Sequence, residues 1–528
     1  MISRRLHHGA SLVLVLLFLT GIYAPFLGGL LQEDEGVSQL EKRSLASRPG
    51  WPDDLAALQA YTGKFADYWA DHFGFRESLV SWYKQLKYHL GDAPSPDVIV
   101  GKAGWLFLGG IRKGYSRYDD PVGDARHVNL FTAAGLRQFS IYLSALHYWL
   151  GKQGVRYLFV LAPNKHSIYP EYLPDYVRPV GPESATDQLF SYLKDHPRAP
   201  ALDLRPVLRA AKARGPVYFF RDSHWNDFGA NFAQQAIRRI LAGFFPGELD
   251  ARLFPMKPGS LREGDLNGHI GLLPQTHAGL VPDFTGSCRP SILPPGAAPR
   301  DTYTRVCDRG RLRALIFRDS FFSRLEPYFS RVFARSTYVW QKIQLPLLRE
   351  LLARERPDVV IEEWVERNLP RVPDIQPILR QIVQDGMGEA HSLPLDKLTF
   401  NSRIQVLFRS RDKLMLQSSG VDPYILIPLP ELPAAPAYLL RIRLHSSVKS
   451  GLELYHGAEG PLDFSPDRRQ SHPLSAGDND ISFWLYADEL GTGLRLDPLW
   501  AEGRVVLRGL EIIALKETAP ADTQGRRP

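Results

Sequence analysis

Cysteine is scarce in this sequence: Cys288 and Cys307 are the only two among 528 residues. Their spacing fits neither a CxxC redox motif nor a zinc-ligand pattern, which argues against a disulfide-rich scaffold and against a zinc finger. In an oxidising compartment the two thiols would close a loop of about 20 residues, a crosslink that contributes very roughly 3 kcal/mol to stability. We predict a disulfide between them, with two buried free thiols as the alternative.

Long runs of one charge sign are also missing. The net charge is +7 and the pI is near 9.2, but the basic residues are spread along the chain. No Lys/Arg block resembles a nucleic-acid-binding arm, so no nucleic-acid partner is predicted. With 44% hydrophobic and 23% charged residues, the composition is that of a globular protein. A solvated basic surface explains the modest excess, and attraction to an anionic glycan or a membrane surface is the alternative.

Only one apolar run is long enough to span a bilayer. It extends from Ala10 to Leu31 without a charge, follows Arg4 and Arg5, and is followed by acidic residues. About 20 apolar residues cross a membrane as a helix, and basic residues before the span place the N-terminus in the cytoplasm. We predict an uncleaved signal anchor over residues 1–35. A cleaved signal peptide and a buried core helix are the alternatives.

The remaining chain divides into four parts that differ in their pattern of apolar and polar residues. Residues 36–95 have aromatic residues at helical spacing and predict an amphipathic helical segment. Residues 96–395 alternate apolar strands with helices, which is typical of an α/β domain with a largely parallel sheet. Residues 396–517 contain short alternating strands and predict a β-sandwich. The polar tail, residues 518–528, is predicted to be disordered.

Three polar residues follow strand and loop signals in the α/β part. Ser320 comes just after the apolar strand 314–317, at the edge where parallel sheets carry their sites. His224 and Asp222 lie two positions apart in one loop, where the carboxylate can orient the imidazole towards a nucleophile. We therefore predict a Ser320, His224, Asp222 triad for nucleophilic acyl transfer.

Each of these residues also has a structural interpretation. Serines after strands often act as N-caps, and an Asp-x-His sequence is often just a polar loop. A metal site using Asp222, His224 and a distant histidine is a further alternative. Since the other histidines form no ligand motif such as HExxH, neither a metal nor a cofactor is predicted.

Several further motifs lie around these three residues. The loop Asp222-Ser223-His224-Trp225 is followed by Asn226 and Gly229-Ala230, and Arg318-Asp319-Ser320-Phe321-Phe322 comes about 95 residues later. Further segments, in order along the chain, are 41–43, 71–76, 101–107, the Pro163-Asn164-Lys165 loop and Gly264-Asp265-Leu266. Together these motifs resemble the AlgX/AlgJ family of alginate and exopolysaccharide O-acetyltransferases. The resemblance covers roughly residues 40–370.

The resemblance implies a fold and an activity. Members of the family look like SGNH hydrolases, a flavodoxin-like α/β fold, with a rearranged motif order in which the Asp/His loop precedes the serine. The resemblance implies the same triad, a periplasmic location at the bacterial inner membrane, a polysaccharide acceptor and a membrane-bound acyltransferase-type partner that supplies acetyl groups. It also implies that the C-terminal β-sandwich is carbohydrate-binding-like.

Other side chains are candidates for contact with the substrate or with the oxyanion. They are Tyr328, Asn164, Lys165, Arg318 and Arg367. Packing in the core or exposure to solvent also explains the presence of each of these residues. In the predicted sandwich, Tyr424, Trp484, Tyr486 and Trp500 are candidates for stacking on sugars, although period-2 alternation buries about half of such residues.

We therefore predict an O-acetyltransferase that forms an acetyl-serine and passes the acetyl group to a polysaccharide hydroxyl. Two alternatives stay open. One is an acetyl esterase that uses the same triad, and the other is a membrane-anchored glycan-binding assembly subunit without activity.

Overall fold

The computed structural model describes residues 2–31, 36–38, 40, 43–110, 119–419, 422–456 and 468–517, so the predicted disordered tail lies outside the described residues. The α-helices are α1 (Ile2–Leu31), α2 (Leu55–His72), α3 (Arg76–His89), α4 (Pro121–Ala125), α5 (Ala133–Gly151), α6 (Lys165–Ile168), α7 (Ala185–Asp195), α8 (Arg205–Ala211), α9 (Asp227–Phe244), α10 (Glu326–Val332), α11 (Leu345–Glu355) and α12 (Gln376–Gln384).

The first half of the strands belongs mainly to the α/β part. These strands are β1 (Val37–Ser38), β2 (Arg43–Ser44), β3 (Val98–Val100), β4 (Leu106–Leu108), β5 (Arg156–Ala162), β6 (Ala201–Asp203), β7 (Met256–Glu263), β8 (Gln275–Pro282), β9 (Ser291–Leu293), β10 (Tyr303–Val306), β11 (Arg313–Phe317), β12 (Arg335–Val339) and β13 (Val359–Val365).

The remaining strands lie in the C-terminal part. They are β14 (Gly388–Ser392), β15 (Thr399–Phe400), β16 (Ile404–Arg409), β17 (Leu414–Ser418), β18 (Ile425–Pro428), β19 (Ala437–Ser446), β20 (Ser450–Tyr455), β21 (Arg469–Leu474), β22 (Gly477–Tyr486), β23 (Gly493–Asp497) and β24 (Gly503–Leu515).

Helix α1 contains the apolar run identified in the sequence. Its segment Ser11–Gly29 is long and apolar enough to cross a membrane, and none of it is buried, so the alternative of a buried core helix is wrong. The helix meets the tip of the α2–α3 hairpin, where the Gly74 N–H donates to the Pro25 carbonyl at 2.8 Å. A Cβ on Gly74 would lie 2.5 Å from the backbone of Gly28, so this close approach requires glycine.

A seven-stranded sheet forms the centre of the α/β part. Its order is β6-β5-β13-β11-β12-β10-β9. The strands β6, β5, β13, β11 and β12 are parallel to their neighbours, whereas β10 and β9 add an antiparallel edge. The predicted α/β class with a largely parallel sheet therefore agrees with the structure, and the carboxyl ends of β5, β13 and β11 meet at one edge.

Helices cover both faces of this sheet because side chains alternate along each strand. In β5, Leu158 and Val160 join a core with α8, α9 and α10, whereas Tyr157 and Phe159 join a second core with α5, α7, α11 and α12. Strands that are buried on both faces have continuous apolar sequences. For this reason β5 and β11 could be recognised as strands from the sequence.

Two smaller features lie near the sheet. Strands β7 and β8 form an antiparallel hairpin between α9 and the disulfide region. Cys288 and Cys307 are joined by a disulfide, and both are buried.

The C-terminal part is rich in β-structure. One sheet has the order β16-β17-β24-β19-β22, with β14 also paired to β24, and a second has the order β15-β18-β23-β20-β21. Their buried side chains form one hydrophobic core. Since β14 begins at Gly388, the β-rich part begins before the predicted boundary at residue 396.

The β-rich part is joined to the α/β part by buried contacts. The Gln376 side chain donates to the Ser482 carbonyl and accepts from the Ser482 N–H. The Tyr486 hydroxyl lies 2.9 Å from the Ser144 hydroxyl of α5. Trp484 and Tyr486 are only 3% and 2% exposed, so this contact removes two of the four predicted sugar-stacking candidates from the surface, whereas Trp500 is 58% exposed.

Candidate functional site

Ser320 lies directly beyond β11, at the start of the short 3-10 turn Phe321–Arg324. The preceding residue fixes this turn, because the Asp319 carboxylate accepts hydrogen bonds from the Phe321 N–H at 2.9 Å and from the Val365 N–H at 2.8 Å. The Asp319 N–H donates to the buried Glu363 at 3.0 Å. The serine is therefore held by neighbouring strands, and its side chain remains partly exposed.

His224 lies opposite this serine, in the loop before α9. Its Nε2 is 2.8 Å from the Ser320 Oγ, and its Nδ1 is 2.8 Å from Asp222 Oδ1. If Nδ1 carries the proton and donates to Asp222, Nε2 is free to accept the proton of Ser320. The structure thus brings the three residues of the predicted triad into one hydrogen-bonded chain.

The loop that carries His224 is fixed at both ends. Asn226 caps α9 by accepting from the Gly229 N–H at 2.9 Å. Trp225 is fully buried and packs edge-on against Phe321, whose ring centroid lies 4.8 Å from that of His224. The imidazole therefore packs against an apolar ring in addition to its polar partners Ser320 and Asp222.

Asp222 is held by a loop that follows β7. Its Oδ2 accepts from the Gly264 N–H at 3.0 Å and from the Asp265 N–H at 2.9 Å. Gly264 has a φ of 115°, and a Cβ there would lie 2.3 Å from the Asn267 amide, so the turn requires glycine. The Gly264-Asp265 turn therefore supplies the two backbone donors that hold the Asp222 carboxylate.

A second carboxylate, Asp265, lies next to the imidazole. Its Oδ2 is 3.3 Å from His224 Nδ1. It also accepts the Ser223 N–H at 2.7 Å and the Ser223 hydroxyl. Sequence reasoning gave Asp265 no role, although the Gly264-Asp265-Leu266 motif was the signal that pointed to it.

The charges around the imidazole stabilise its protonated form. Burial lowers the pKa of His224, but the hydrogen bonds and charges of Asp222 and Asp265 outweigh this and raise it to about 10. Burial raises the pKa of Asp222, but the hydrogen bond and charge of His224 and the backbone donors hold it well below its usual range. The site therefore stabilises an imidazolium, the species that forms when histidine takes a proton from serine.

The same three side chains could also hold a metal ion. Ligand atoms of Asp222, His224 and Asp265 lie within 4.8 Å of one another. A cation bound at Nδ1 would need that atom without its proton, which would remove the hydrogen bond to Asp222. Metal binding and the orientation of His224 by Asp222 therefore exclude each other at this atom.

Lys165, Arg318 and Tyr328 have structural contacts. Lys165 is buried and donates to the carbonyls of Leu106, Phe220 and Asp222, and burial lowers its pKa to about 7. Arg318 donates to the Pro299 carbonyl and the Tyr303 hydroxyl and lies over the Trp340 ring. The Tyr328 hydroxyl donates its single proton in a hydrogen bond to the Asp227 carbonyl at 3.0 Å. In this arrangement none of the three side chains reaches Ser320.

Asn164 and Arg367 lie at the carboxyl ends of β5 and β13. Asn164 is buried, and its amide donates to Asp124 at 3.1 Å. Arg367 pairs with Asp119 at 2.7 Å, and its guanidinium lies 5.8 Å from the centroid of the Phe321 ring, next to the serine. Arg367 therefore lies beside the residue that directly follows Ser320.

A serine, histidine and aspartate at the carboxyl edge of a parallel α/β sheet occur in several classes of hydrolase-like proteins, and the match to a known family narrows the class for this chain. Residues 98–291 match the family described as SGNH hydrolase-like domain, acetyltransferase AlgX. This segment includes Asp222 and His224 but ends before Ser320. Over this segment the chain is similar to that family, and the resemblance seen in the sequence is confirmed.

Individual relatives are distant. The protein named probable alginate O-acetylase AlgJ of Pseudomonas aeruginosa is 26% identical over 261 residues, which are 48% of this chain and 60% of that protein. The O-acetyltransferase domain of Pseudomonas putida AlgJ is 21% identical, with a TM-score of 0.36 over 55% of this chain and 100% of that domain. Pseudomonas aeruginosa AlgX is 15% identical, with a TM-score of 0.28 over 80% of this chain and 95% of that chain.

Proposed function

We propose that this chain is an O-acetyltransferase that forms an acetyl-Ser320 and transfers the acetyl group to a hydroxyl of an extracytoplasmic polysaccharide. The observation that carries the proposal is the hydrogen-bonded chain from the Ser320 Oγ through His224 to Asp222, with 2.8 Å at each step. The name of the curated relatives, probable alginate O-acetylase, supports acetyl transfer to a glycan rather than another acyl reaction.

In the first half-reaction His224 acts as the general base. Nε2 takes the hydroxyl proton as the Ser320 Oγ bonds to the acetyl carbonyl carbon of the donor. The imidazolium that forms faces Asp222 and Asp265. It then gives its proton to the leaving group of the donor, whose bond to the acetyl carbon breaks, and acetyl-Ser320 remains.

The second half-reaction runs the same steps in the opposite direction. Nε2 takes the proton of a sugar hydroxyl, whose oxygen attacks the acetyl carbon. The bond to Ser320 breaks, and the serine oxygen regains a proton from His224. The Ser320 N–H, at the start of the 3-10 turn, is our candidate oxyanion donor, and Arg367 beside Phe321 is our candidate for holding the acceptor.

Transfer of acetyl from a chromogenic acetyl ester to an oligosaccharide tests this function. We expect acetylated sugar, detected by mass spectrometry, to appear together with the chromophore. Chromophore release without acetylated sugar, across several glycans, would contradict the transferase and identify an esterase that uses the same residues. The absence of any turnover that depends on Ser320 would support a glycan-binding assembly subunit instead.

We also propose that α1 anchors the protein in the inner membrane, with the α/β and β-rich parts on the periplasmic side. A membrane-bound acyltransferase-type partner would then deliver acetyl groups to Ser320. We expect the chain in the membrane fraction, resistant to extraction by salt and by alkaline carbonate, with residues 1–31 still present by mass spectrometry. A soluble periplasmic chain without these residues would show that the segment is a cleaved signal peptide.

A further inference from the structure

Helix α3 turns a row of large apolar side chains away from the rest of the protein. With about 3.6 residues per turn, these side chains fall on one face of the helix, within an arc of about 100°. We call this row the outward face of α3, and its members are Phe75, Leu79, Trp82, Tyr83, Leu86 and Leu90. All six are between 42% and 75% exposed, and no residue of α3 is buried.

The opposite, polar face of α3 is attached to the α/β part. The Ser81 hydroxyl donates to the Gly271 carbonyl at 2.6 Å, and the Gln85 amide donates to the same carbonyl at 3.2 Å. The Lys84 Nζ donates to the Gly268 carbonyl at 2.9 Å. A surface helix normally packs its apolar face on the protein and turns its polar face to water. In α3 this arrangement is inverted.

The outward face has the size and the composition of an interaction surface. Single exposed apolar residues need no explanation, but a continuous row of them marks a contact with another protein or with a membrane. From Phe75 to Leu90 the row is about 22 Å long. It includes Trp82 and Tyr83, the two residue types that concentrate at the boundary between a membrane and water.

The outward face begins where the apolar segment of α1 ends. In the last turn of the segment Ser11–Gly29, the Pro25 carbonyl accepts from the Gly74 N–H at 2.8 Å. A Cβ on Gly28 would lie 2.8 Å from the Phe75 ring, so this ring packs directly on α1. A bilayer that contains this segment therefore has its surface at the height of Phe75, the first residue of the outward face.

We propose that α3 lies along the periplasmic surface of the membrane that α1 spans, with its outward face between the lipid headgroups and the acyl chains. The inference rests on the proposed anchoring by α1 and adds a second contact that does not cross the bilayer. Helices of this kind carry Trp, Phe and Leu on the face that enters the lipid, to a depth of about 5–10 Å. A helix that stood upright would leave Leu86 and Leu90 in water, since each residue adds about 1.5 Å of height.

This position of α3 connects the membrane surface with the triad. Gly268 and Gly271, which α3 contacts, come a few residues after the Gly264-Asp265 turn that holds the Asp222 carboxylate. The triad is thereby held at a fixed height above the lipid surface.

The test places a fluorescent label on the outward face of the full-length chain in proteoliposomes of phosphatidylcholine and phosphatidylglycerol. Since the two native cysteines form a disulfide, an introduced cysteine is the only free thiol. We expect labels on Leu79→Cys and Leu86→Cys each to lose about half of their fluorescence when the lipids carry a nitroxide near the headgroup end of the acyl chain, because this group lies at the depth of an interfacial helix. Glu77→Cys is the matched control, because Glu77 is exposed on the polar side of the same helix, and its label should keep its fluorescence.

Several results would overturn this inference. Unquenched labels at both leucine positions, in a chain that floats with the vesicles, would refute the lipid contact, leave the α1 anchor intact and point to a protein partner. A chain that does not float would refute the anchor as well. Quenching at Leu79 but not at Leu86 would show that α3 stands upright. A disulfide between two unlabelled Leu79→Cys chains would identify a second copy as the occupant. Ester hydrolysis at the wild-type rate checks that each labelled chain is folded.

Discussion

Replacing Ser320 with alanine is expected to lower ester turnover and acetyl transfer by roughly 10⁴- to 10⁶-fold, to near background. The change removes the only oxygen within hydrogen-bond distance of His224 Nε2 in the described structure, and so removes the atom that carries the acetyl group. The measurement is steady-state release of chromophore, together with mass spectrometry of the intact protein to detect an acetylated chain. The wild type should gain one acetyl group, and Ser320→Ala should gain none.

Ser323→Ala provides the matched control for this experiment. Ser323 is an exposed serine of the same turn and accepts a hydrogen bond from Arg318 at 3.0 Å. We expect it to keep nearly full activity, because it lies outside the contacts of His224. Transfer near the wild-type level in Ser320→Ala would contradict the proposed nucleophile. An equal loss in both variants would indicate that the turn, rather than the hydroxyl, is the sensitive feature.

Replacing Asp222 with asparagine is expected to lower kcat/KM by roughly 10⁴-fold. An uncharged amide would no longer hold Nδ1 protonated, so Nε2 would face Ser320 less often as a proton acceptor. The backbone donors of Gly264 and Asp265 would also lose a charged acceptor. Thermal unfolding of the same sample would show how much of the loss in kcat/KM comes from reduced stability, and we expect this share to be small.

The pH dependence of this variant has a definite sign. His224 must be deprotonated to act as a base, and the carboxylates raise its pKa to about 10, so wild-type kcat/KM should rise with pH through the neutral range. Removing the charge of Asp222 destabilises the imidazolium and lowers the pKa of His224. The rising limb of the pH profile should therefore move to lower pH in Asp222→Asn.

Asp265→Asn is the matched control for the Asp222 variant. Asp265 also faces Nδ1, but at 3.3 Å instead of 2.8 Å. We expect the pH profile to move in the same direction with a much smaller loss of rate, since Asp222 still orients the ring. A larger rate loss in Asp265→Asn than in Asp222→Asn would contradict our assignment and make Asp265 the orienting carboxylate.

The role of Lys165 illustrates where reasoning from sequence failed. A lysine after a strand is usually solvated, and the position suggested contact with a substrate. In the fold, Lys165 instead lies between β4 and the Asp/His loop and donates to carbonyls of Leu106, Phe220 and Asp222. Those partners are 55 to 59 residues away in sequence, and no local pattern indicates which backbone segments will surround a side chain.

The sequence by itself determined the features that depend on neighbouring residues. Local spacing and side-chain chemistry are enough to predict the uncharged run of α1 and the strands β5 and β11, which are apolar on both faces. The pairing of Asp222 with His224 belongs to the same group. Two side chains that lie two positions apart in one loop can contact each other without help from the rest of the fold.

Only the tertiary structure decided which distant groups meet. Ser320 and His224 are 96 residues apart, and the loop with Asp265 reaches the imidazole because β7 and α9 position it there. The burial of Trp484 and Tyr486 against α5 arises in the same way. The physical reason is that hydrophobic burial is non-directional: it drives the elements to pack, while the geometry of the packed sheet and helices selects the polar partners.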